Sequence, residues 1–311
     1  MSIQQAIILT GAGGGVGREA CAMLARQGYQ VFAGVIDAWE REAVEAIAQE
    51  GGFDNLHCVD LDLRRHEECQ SVVDDIEARG LSLWGLVLNG AASPEGVPVE
   101  YISPELLRDT LECNVVGNYA AVKACLSQLK KSRGRIIFIS SATTFTPPPF
   151  VLPYVTSKAA MNAMALSLRR AFRNTGIEVS LLIPEVIKDT YMAHGLFEAT
   201  KARLANIRGC SSEEISPLSF HPGANTALMQ PEDDGDPFYE QMYQGQLDTI
   251  TAGVRIGVTP ARVCRDILGA LTATRPKAVY VIGPTSMAFR ILGRFLPTRW
   301  VDGILAKAGY R

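Results

Sequence analysis

The sequence predicts an α/β fold, a doubly wound parallel sheet of about seven strands in a single domain over residues 1–311. Three observations lead there. Apolar runs of strand length alternate with longer helical patterns, the order that parallel strands joined by crossover helices produce. The first run passes directly into a glycine-rich turn and a helix start, the opening of a Rossmann-type dinucleotide fold. No apolar run reaches the roughly 18 residues of a membrane span.

The first strand is centred on Ala6-Ile-Ile-Leu9, short enough to be buried on both sheet faces. Thr10-Gly-Ala-Gly-Gly-Gly-Val-Gly17 follows, and Val16, Ala20, Met23 and Leu24 continue at helical spacing. Strand, glycine turn and helix N-terminus together suit a pyrophosphate, because glycines admit the phosphates to the backbone and unpaired N–H groups face the negative charge. Gly11, Gly15 and Gly17 fit Thr-Gly-x-x-x-Gly-x-Gly, a dinucleotide fingerprint with one extra residue in its first gap. Thr10, Gly11, Gly13, Gly15, Val16 and Gly17 are thus the expected contacts on the phosphate side. A flexible turn that binds nothing is the alternative, and the flanking strand and helix argue against it.

A second strand, 30–35, follows a helix stop at Gly28. An acid at the end of such a strand holds the adenosine ribose, whereas a base receives a 2′-phosphate. Val35-Ile-Asp37 offers an acid, and the glycine loop has no arginine, so NAD is the expected cofactor over NADP. Asp37 also suits the N-cap of a helix over 39–50, and both readings stay open. The third strand, 56–61, leads into Asp62 and Leu63. Asp62 is a candidate acceptor for the adenine amino group with Leu63 beside the ring, or else another helix cap.

After a helix over 66–79, the fourth strand, 84–88, ends in Asn89-Gly90-Ala91-Ala92, small residues that let a ligand approach the backbone. A long helix is expected over 104–131, with Asn114, a poor helix former, in its middle. Asn114 reads either as a satisfied core amide or as a helix irregularity that frees a carbonyl to hold a water. The fifth strand, 135–139, ends in Ser140-Ser141, and a threonine- and proline-rich loop leads to a helix over 154–175 that carries Tyr154 and Lys158. These two lie one turn apart on one helix face. A fixed cation favours the phenolate of a group whose free pKa is near 10, which suits proton exchange.

A sixth strand over 179–183 precedes a segment of weak periodicity, 188–253, with an acidic patch at 232–236 and the aromatics Phe238, Tyr239 and Tyr243. Its place and aromatic content suggest a lid over an extended apolar pocket. A helix over 259–273 and a seventh strand over 278–282 follow. The tail, 285–311, is basic and amphipathic; packing on the body or on a partner subunit is favoured over membrane contact.

The net charge of −3 leaves no basic excess for nucleic acid, so small ligands are the expected partners. Seven cysteines without a Cys-x-x-Cys pair, and four histidines without metal spacing, point to a reducing, cytoplasmic setting and no metal. The first strand begins within a few residues of Met1, so no leader segment is expected.

With these residues in register the chain resembles the short-chain dehydrogenase/reductase family from about Ile7 to Pro184. Thr10, Gly11, Gly15 and Gly17 match the family's cofactor motif, and Asn89-Gly90-Ala91-Ala92 matches its Asn-Asn-Ala-Gly with Ala92 for the last glycine. The resemblance puts a catalytic tetrad on Asn114, Ser141, Tyr154 and Lys158. It implies an NAD(P)-dependent oxidoreductase that interconverts an alcohol and its ketone. Tyr154 would exchange the proton, Lys158 would lower the phenol's pKa and hold the nicotinamide ribose, Ser141 would fix the substrate oxygen, and Asn114 would anchor a relay water. Val31-Phe-Ala-Gly-Val35 and the segment 295–302 look more faintly like the branch holding retinol, 3-hydroxybutyrate and 17β-hydroxysteroid dehydrogenases. The family's Pro-Gly after the sixth strand is Pro184-Glu185 here, and its carboxamide-contacting threonine falls near Asp189 or Thr190, of which Thr190 is carried over. A homodimer or homotetramer through the two long helices is also implied. The rival readings are a silent cofactor-binding sensor and an epimerase or dehydratase on the same scaffold.

Overall fold

Seven strands form one parallel sheet in the order β3-β2-β1-β4-β5-β6-β7. They are β1 (Gln5–Leu9), β2 (Gln30–Val35), β3 (Leu56–Asp60), β4 (Ser82–Leu88), β5 (Arg135–Ile139), β6 (Glu178–Pro184) and β7 (Val279–Ile282). The computed structural model describes residues 5–92, 96–188, 190–211 and 236–307. Strand side chains alternate between the two faces. Ala6 and Ile8 of β1 enter one core, and Ile7 and Leu9 enter the other.

Helices cover both faces. The first core is closed by α3 (His66–Ala78), α5 (Asn118–Ser132) and α6 (Leu152–Ala171). The second is closed by α1 (Gly15–Arg26), α2 (Ala38–Gly51) and the helix Pro260–Thr272, here α9. Each fully buried Leu, Ile or Val in these layers contributes about 1.5–3 kcal/mol relative to exposure. The strand order reverses between β1 and β4, which opens a crevice at their carboxyl ends where ligands of such sheets bind.

The structure departs from the expected elements in three places. The long helix expected over 104–131 is divided: α4 (Pro104–Leu111) and α5 are joined by a π-helical turn, Glu112–Gly117, that contains Asn114. The helix bearing Tyr154 stops at Ala171 rather than at Thr175. The tail breaks at Pro297 into α10 (Pro284–Phe295) and α11 (Thr298–Lys307).

The segment between β6 and α9 contributes α7 (Tyr191–Arg208) and α8 (Glu240–Ile256). These bury Phe197, Leu204, Tyr243, Leu247 and Ile250 in a small third core with Phe150. Most of the expected acidic patch lies outside the described residues; Asp236, at its end, accepts a hydrogen bond from the Phe238 amide at 2.8 Å. Among the described residues no helix is long and apolar enough to cross a membrane.

Glu185, which stands where a glycine was expected, explains how the tail is held. Its Oε2 accepts hydrogen bonds from the amides of Thr285 (2.7 Å) and Ser286 (3.2 Å), so a carboxylate at the end of β6 caps the N-terminus of α10. Gly283 makes this possible: at φ +99° it presses against the Glu185 carboxylate, where any Cβ would collide. Replacing Glu185 with Ala is expected to lower stability by about 1–2 kcal/mol and to loosen α10 first. Thermal unfolding together with amide exchange in 284–295 checks this; unchanged protection there would show that the cap is idle.

Candidate active site

The site is built where β1 and β4 part. Thr10 is fully buried, and its hydroxyl accepts hydrogen bonds from the amides of Asn89 (3.1 Å) and Gly90 (2.9 Å). Asn89 returns the link, its Nδ2 donating to the carbonyls of Gly11 (2.9 Å) and Thr10 (3.2 Å). Two strand ends are thereby locked together. Gly11, at φ +63°, lies so close to Gly90 that a Cβ would come within 2.6 Å of the Gly90 Cα. A Cβ on Gly17 would overlap the Gly11 carbonyl oxygen and lie 2.7 Å from the Ala12 Cα. The loop can fold this tightly only with glycine at both positions.

This loop fits a phosphate group. Gly15 is the first residue of α1, Gly14 is its N-cap with no side chain bonded to the helix amides, and no acid stands in the first turn. The amides there are unclaimed by any capping side chain, which leaves a positive helix end for an anion. Val16, expected among the cofactor contacts, is buried in the second core, and its carbonyl accepts from Cys264 Sγ at 3.5 Å. Its side chain serves packing. Ala91 is half-buried just beyond Gly90.

At the adenosine end, Asp37 is the N-cap of α2, accepting from the Glu40 amide at 2.8 Å. Of its two readings, the cap is the one with a contact in the structure. Asp62 caps no helix. Its carboxylate takes Arg64 at 2.7–3.1 Å and also accepts the Arg64 amide. Burial pushes the Asp62 carboxyl up, but the Arg64 contacts outweigh it and hold the group below its ordinary range. Leu63 is buried in the first core and reaches the Gly90 position. One acid there was not singled out from sequence: the Glu40 side chain lies over Gly13, and its carboxylate accepts the Ile36 amide at 3.0 Å. Burial, followed by the neighbouring Asp37 and Asp62, raises its pKa against that hydrogen bond. The Asp-x-x-Glu spacing of a capping box was the available signal.

The π turn aims Asn114 inward. The side chain is fully buried, its Oδ1 accepting the Ala92 amide at 2.7 Å and its Nδ2 donating to the Ala92 carbonyl (2.8 Å) and to Ser157 Oγ (2.9 Å). It therefore ties the chain just beyond β4 to α6. The Asn114 carbonyl accepts Asn118 Nδ2 at 2.8 Å, so one of its two lone pairs is taken. Lys158 is likewise buried and spans from α6 to the end of β5, where Nζ donates to the Ile139 carbonyl at 2.8 Å.

Tyr154 lies beside it, with Lys158 Nζ 5.7 Å from the ring centroid. Burial pushes the phenol up to about 12, and the neighbouring Ser141 hydroxyl opposes the rise. Burial brings the Lys158 ammonium down to about 8. Desolvation therefore dominates over the cation in this state, and the expected lowering of the phenol's pKa by Lys158 is not seen. Ser141 is itself placed by Thr143, whose hydroxyl lies 3.0 Å from Ser141 Oγ. The structure thus brings Asn114, Ser141, Tyr154 and Lys158 to the carboxyl ends of β4 and β5, beside the glycine loop.

Pro184 is buried as the last residue of β6. Thr190 donates from Oγ1 to the Ile187 carbonyl at 3.2 Å, while Asp189 lies outside the described residues. The loop before α6 ends in Phe150, which holds a left-handed φ of +71°, a strained conformation for a bulky residue. Its carbonyl accepts the Val97 amide at 3.0 Å, and its ring packs 4.9 Å from Tyr243 of α8. An apolar cavity of about 580 Å³ opens beside it, lined by Val97, Pro149, Leu152, Thr156 and Met242 among others. Leu152 and Thr156 lie on the side of α6 opposite Tyr154, so this cavity lies on the far side of α6 from Tyr154.

Comparison with known proteins identifies the family and the fold. The profile of the family described as short chain dehydrogenase matches residues 5–201. Estradiol 17-beta-dehydrogenase 2 of Mus musculus is 24% identical over 99% of this chain and 75% of its own. An NADPH-dependent 3-dehydrocapnine reductase of Ornithobacterium rhinotracheale is 27% identical over 96% of this chain and 95% of its own. Three other relatives align over only 48% to 62% of their own length. The crystal structure of a short-chain dehydrogenase from Streptomyces avermitilis superposes with a TM-score of 0.72 at 21% identity, covering 99% of this chain and 95% of that one.

Proposed function

Because the chain belongs to the short-chain dehydrogenase family, we propose that it interconverts a secondary alcohol and its ketone with a nicotinamide dinucleotide, using Tyr154, Lys158, Ser141 and Asn114. The observation that carries this is a buried phenol with the Ser141 hydroxyl beside it, one helix turn from a buried ammonium fixed to the end of β5. When bound, the cofactor supplies or accepts the hydride.

The residues divide the remaining work. At neutral pH the Tyr154 phenol holds its proton and can give it to a carbonyl oxygen as reduction proceeds; oxidation runs the same transfer backwards. Ser141 holds the substrate oxygen against the phenol, and Lys158 supplies the positive charge that the phenolate needs. Asn114, through Ala92 and Ser157, fixes the distance between β4 and α6, and its second carbonyl lone pair is the position for a relay water. NAD is the proposed partner. Asp37, Glu40 and Asp62 gather carboxylates at the adenosine end, and a 2′-phosphate would meet like charge there.

We assign α7 and α8 the role of lid, because Tyr239 donates to Glu100 at 2.6 Å and Phe150 joins their core. We assign a homodimer or homotetramer to α5, α6 and the π turn before α5, where Val116, Tyr119 and Leu152 stand exposed. Apolar substrates of steroid or lipid character suit the relatives' chemistry and the aromatic lid.

Nicotinamide absorbance, followed over a panel of secondary alcohols and ketones, tests the reading. Net absorbance change is expected with apolar members; product formed without net change would assign a recycled cofactor, and no product would assign a silent binder. The pH dependence is specific. Lys158 is charged below about 8, so reduction is expected to hold level at neutral pH and to decline as pH rises through that value. Oxidation, which needs the phenol's proton removed while Lys158 stays charged, is expected to climb with pH up to about 8 and to level off above it. Parallel profiles in the two directions would remove Tyr154 from the role of proton donor.

A further inference from the structure

We propose that the outer face of α10 and α11 is a peripheral docking surface for anionic phospholipid bilayers. The inner face of α10 is accounted for: Ser286 is fully buried, Phe289 packs against the first core, and Gly293 lies against the Phe145 carbonyl where no Cβ would fit. At 100° per residue, Met287, Ile291 and Phe295 form a stripe on the opposite side. They are 44%, 52% and 75% exposed, and on α11 Trp300 and Ile304 are 66% and 44% exposed. These five large apolar residues of the two tail helices therefore face solvent.

The charge on this face is one-sided. Residues 284–307 carry Arg290, Arg294, Arg299 and Lys307 against Asp302 alone, a net +3 on a chain whose total is −3, so the remainder carries −6. Arg290 and Arg294 are exposed along one flank of the stripe, and Arg299 is exposed beside Trp300. An apolar stripe flanked by arginines, with a tryptophan at its border, is the composition of a helix lying in a lipid interface: the rings enter the acyl boundary while the guanidinium groups reach the phosphates. A second copy of the chain suits the face less well. A two-fold contact along the stripe would bring Arg290 and Arg294 toward their own equivalents with one acid to offset them.

The placement also has a use. α10 rests on Phe145, four residues beyond Ser141, so the docking face and the loop carrying the substrate-binding serine are parts of one packed unit. Docking would hold the site near an apolar reservoir. The proposal stands on the tail alone and does not depend on which reaction the site performs.

Sedimentation of the full chain with phosphatidylcholine vesicles, with and without phosphatidylserine, at low and high salt, tests it. Partitioning is expected to rise roughly tenfold or more with phosphatidylserine and to fall back at high salt. Phe295→Ser with Trp300→Ser should lower it by roughly tenfold or more at both lipid compositions. Arg290→Gln with Arg294→Gln should erase the phosphatidylserine dependence without altering thermal unfolding. Absence of vesicle binding, binding indifferent to both variants, or a stripe variant that splits an oligomer in solution would each overturn the proposal. The last of these would assign the face to a second copy.

Discussion

Tyr154→Phe is expected to lower turnover in both directions by about 10²–10⁴-fold while cofactor affinity stays within a few-fold of the parent. The substitution removes one oxygen and leaves the ring, which is buried and stands 5.7 Å from Lys158 Nζ. The fold should be indifferent to it. The hydroxyl beside Ser141 is lost, but Ser141 keeps Thr143 as a partner. Steady-state rates combined with a fluorescence titration of reduced cofactor separate the two effects. Turnover near the parent rate would end the assignment of Tyr154 as the proton-transfer group, and lost cofactor affinity would move its role from chemistry to binding.

The second large effect belongs to the glycine loop. Gly17→Ala is expected to cost about 1–3 kcal/mol of stability and to weaken cofactor binding by roughly tenfold or more. The added methyl has no room: it would overlap the Gly11 carbonyl and press on the Ala12 Cα at 2.7 Å, and both are backbone that cannot turn aside. Relief requires α1 to move away from the β1 end, which spoils the phosphate cradle. Gly14→Ala is the control, because a Cβ there meets only the Gly11 carbonyl at an ordinary 3.6 Å. Thermal unfolding and cofactor titration on both variants check the contrast. Equal behaviour of the two would mean that the loop is more pliant than its packing requires.

The parts of the molecule that follow from local rules were legible in the sequence. Strands β2 and β5 lie at their expected bounds, because each is an apolar run closed by a turn residue and buried on both faces. That Ser141 stands just past a strand end, and that Tyr154 and Lys158 share one helix face, was also readable, since strand end and helix phase follow from chain spacing. Side-chain bonds that cross between elements were not. Glu185 looked like a departure, yet it caps a helix that begins 99 residues later. Nothing near it in the chain announces that partner. The balance of effects on Tyr154 was likewise out of reach, because spacing shows a neighbouring cation but not the depth of burial that outweighs it. The position of the apolar cavity behind α6 depends on how the loop 145–151 folds, and periodicity says nothing about loops.

The π turn at Glu112–Gly117 has a consequence for how α4 and α5 meet their neighbours. A turn closed by i→i+5 bonds holds about one residue more than an α turn, so the helix after it is rotated by about 100° from where a regular helix would have carried it. One continuous run of chain can therefore direct Asn114 toward Ala92 and, two to three turns later, settle Ala121, Val122 and Cys125 into the first core. Deleting one residue from this turn would restore an unbroken helix, but would force a choice between the two arrangements. An apparent defect of helical geometry thus acts as a phase shifter, letting one segment serve the polar site and the apolar core.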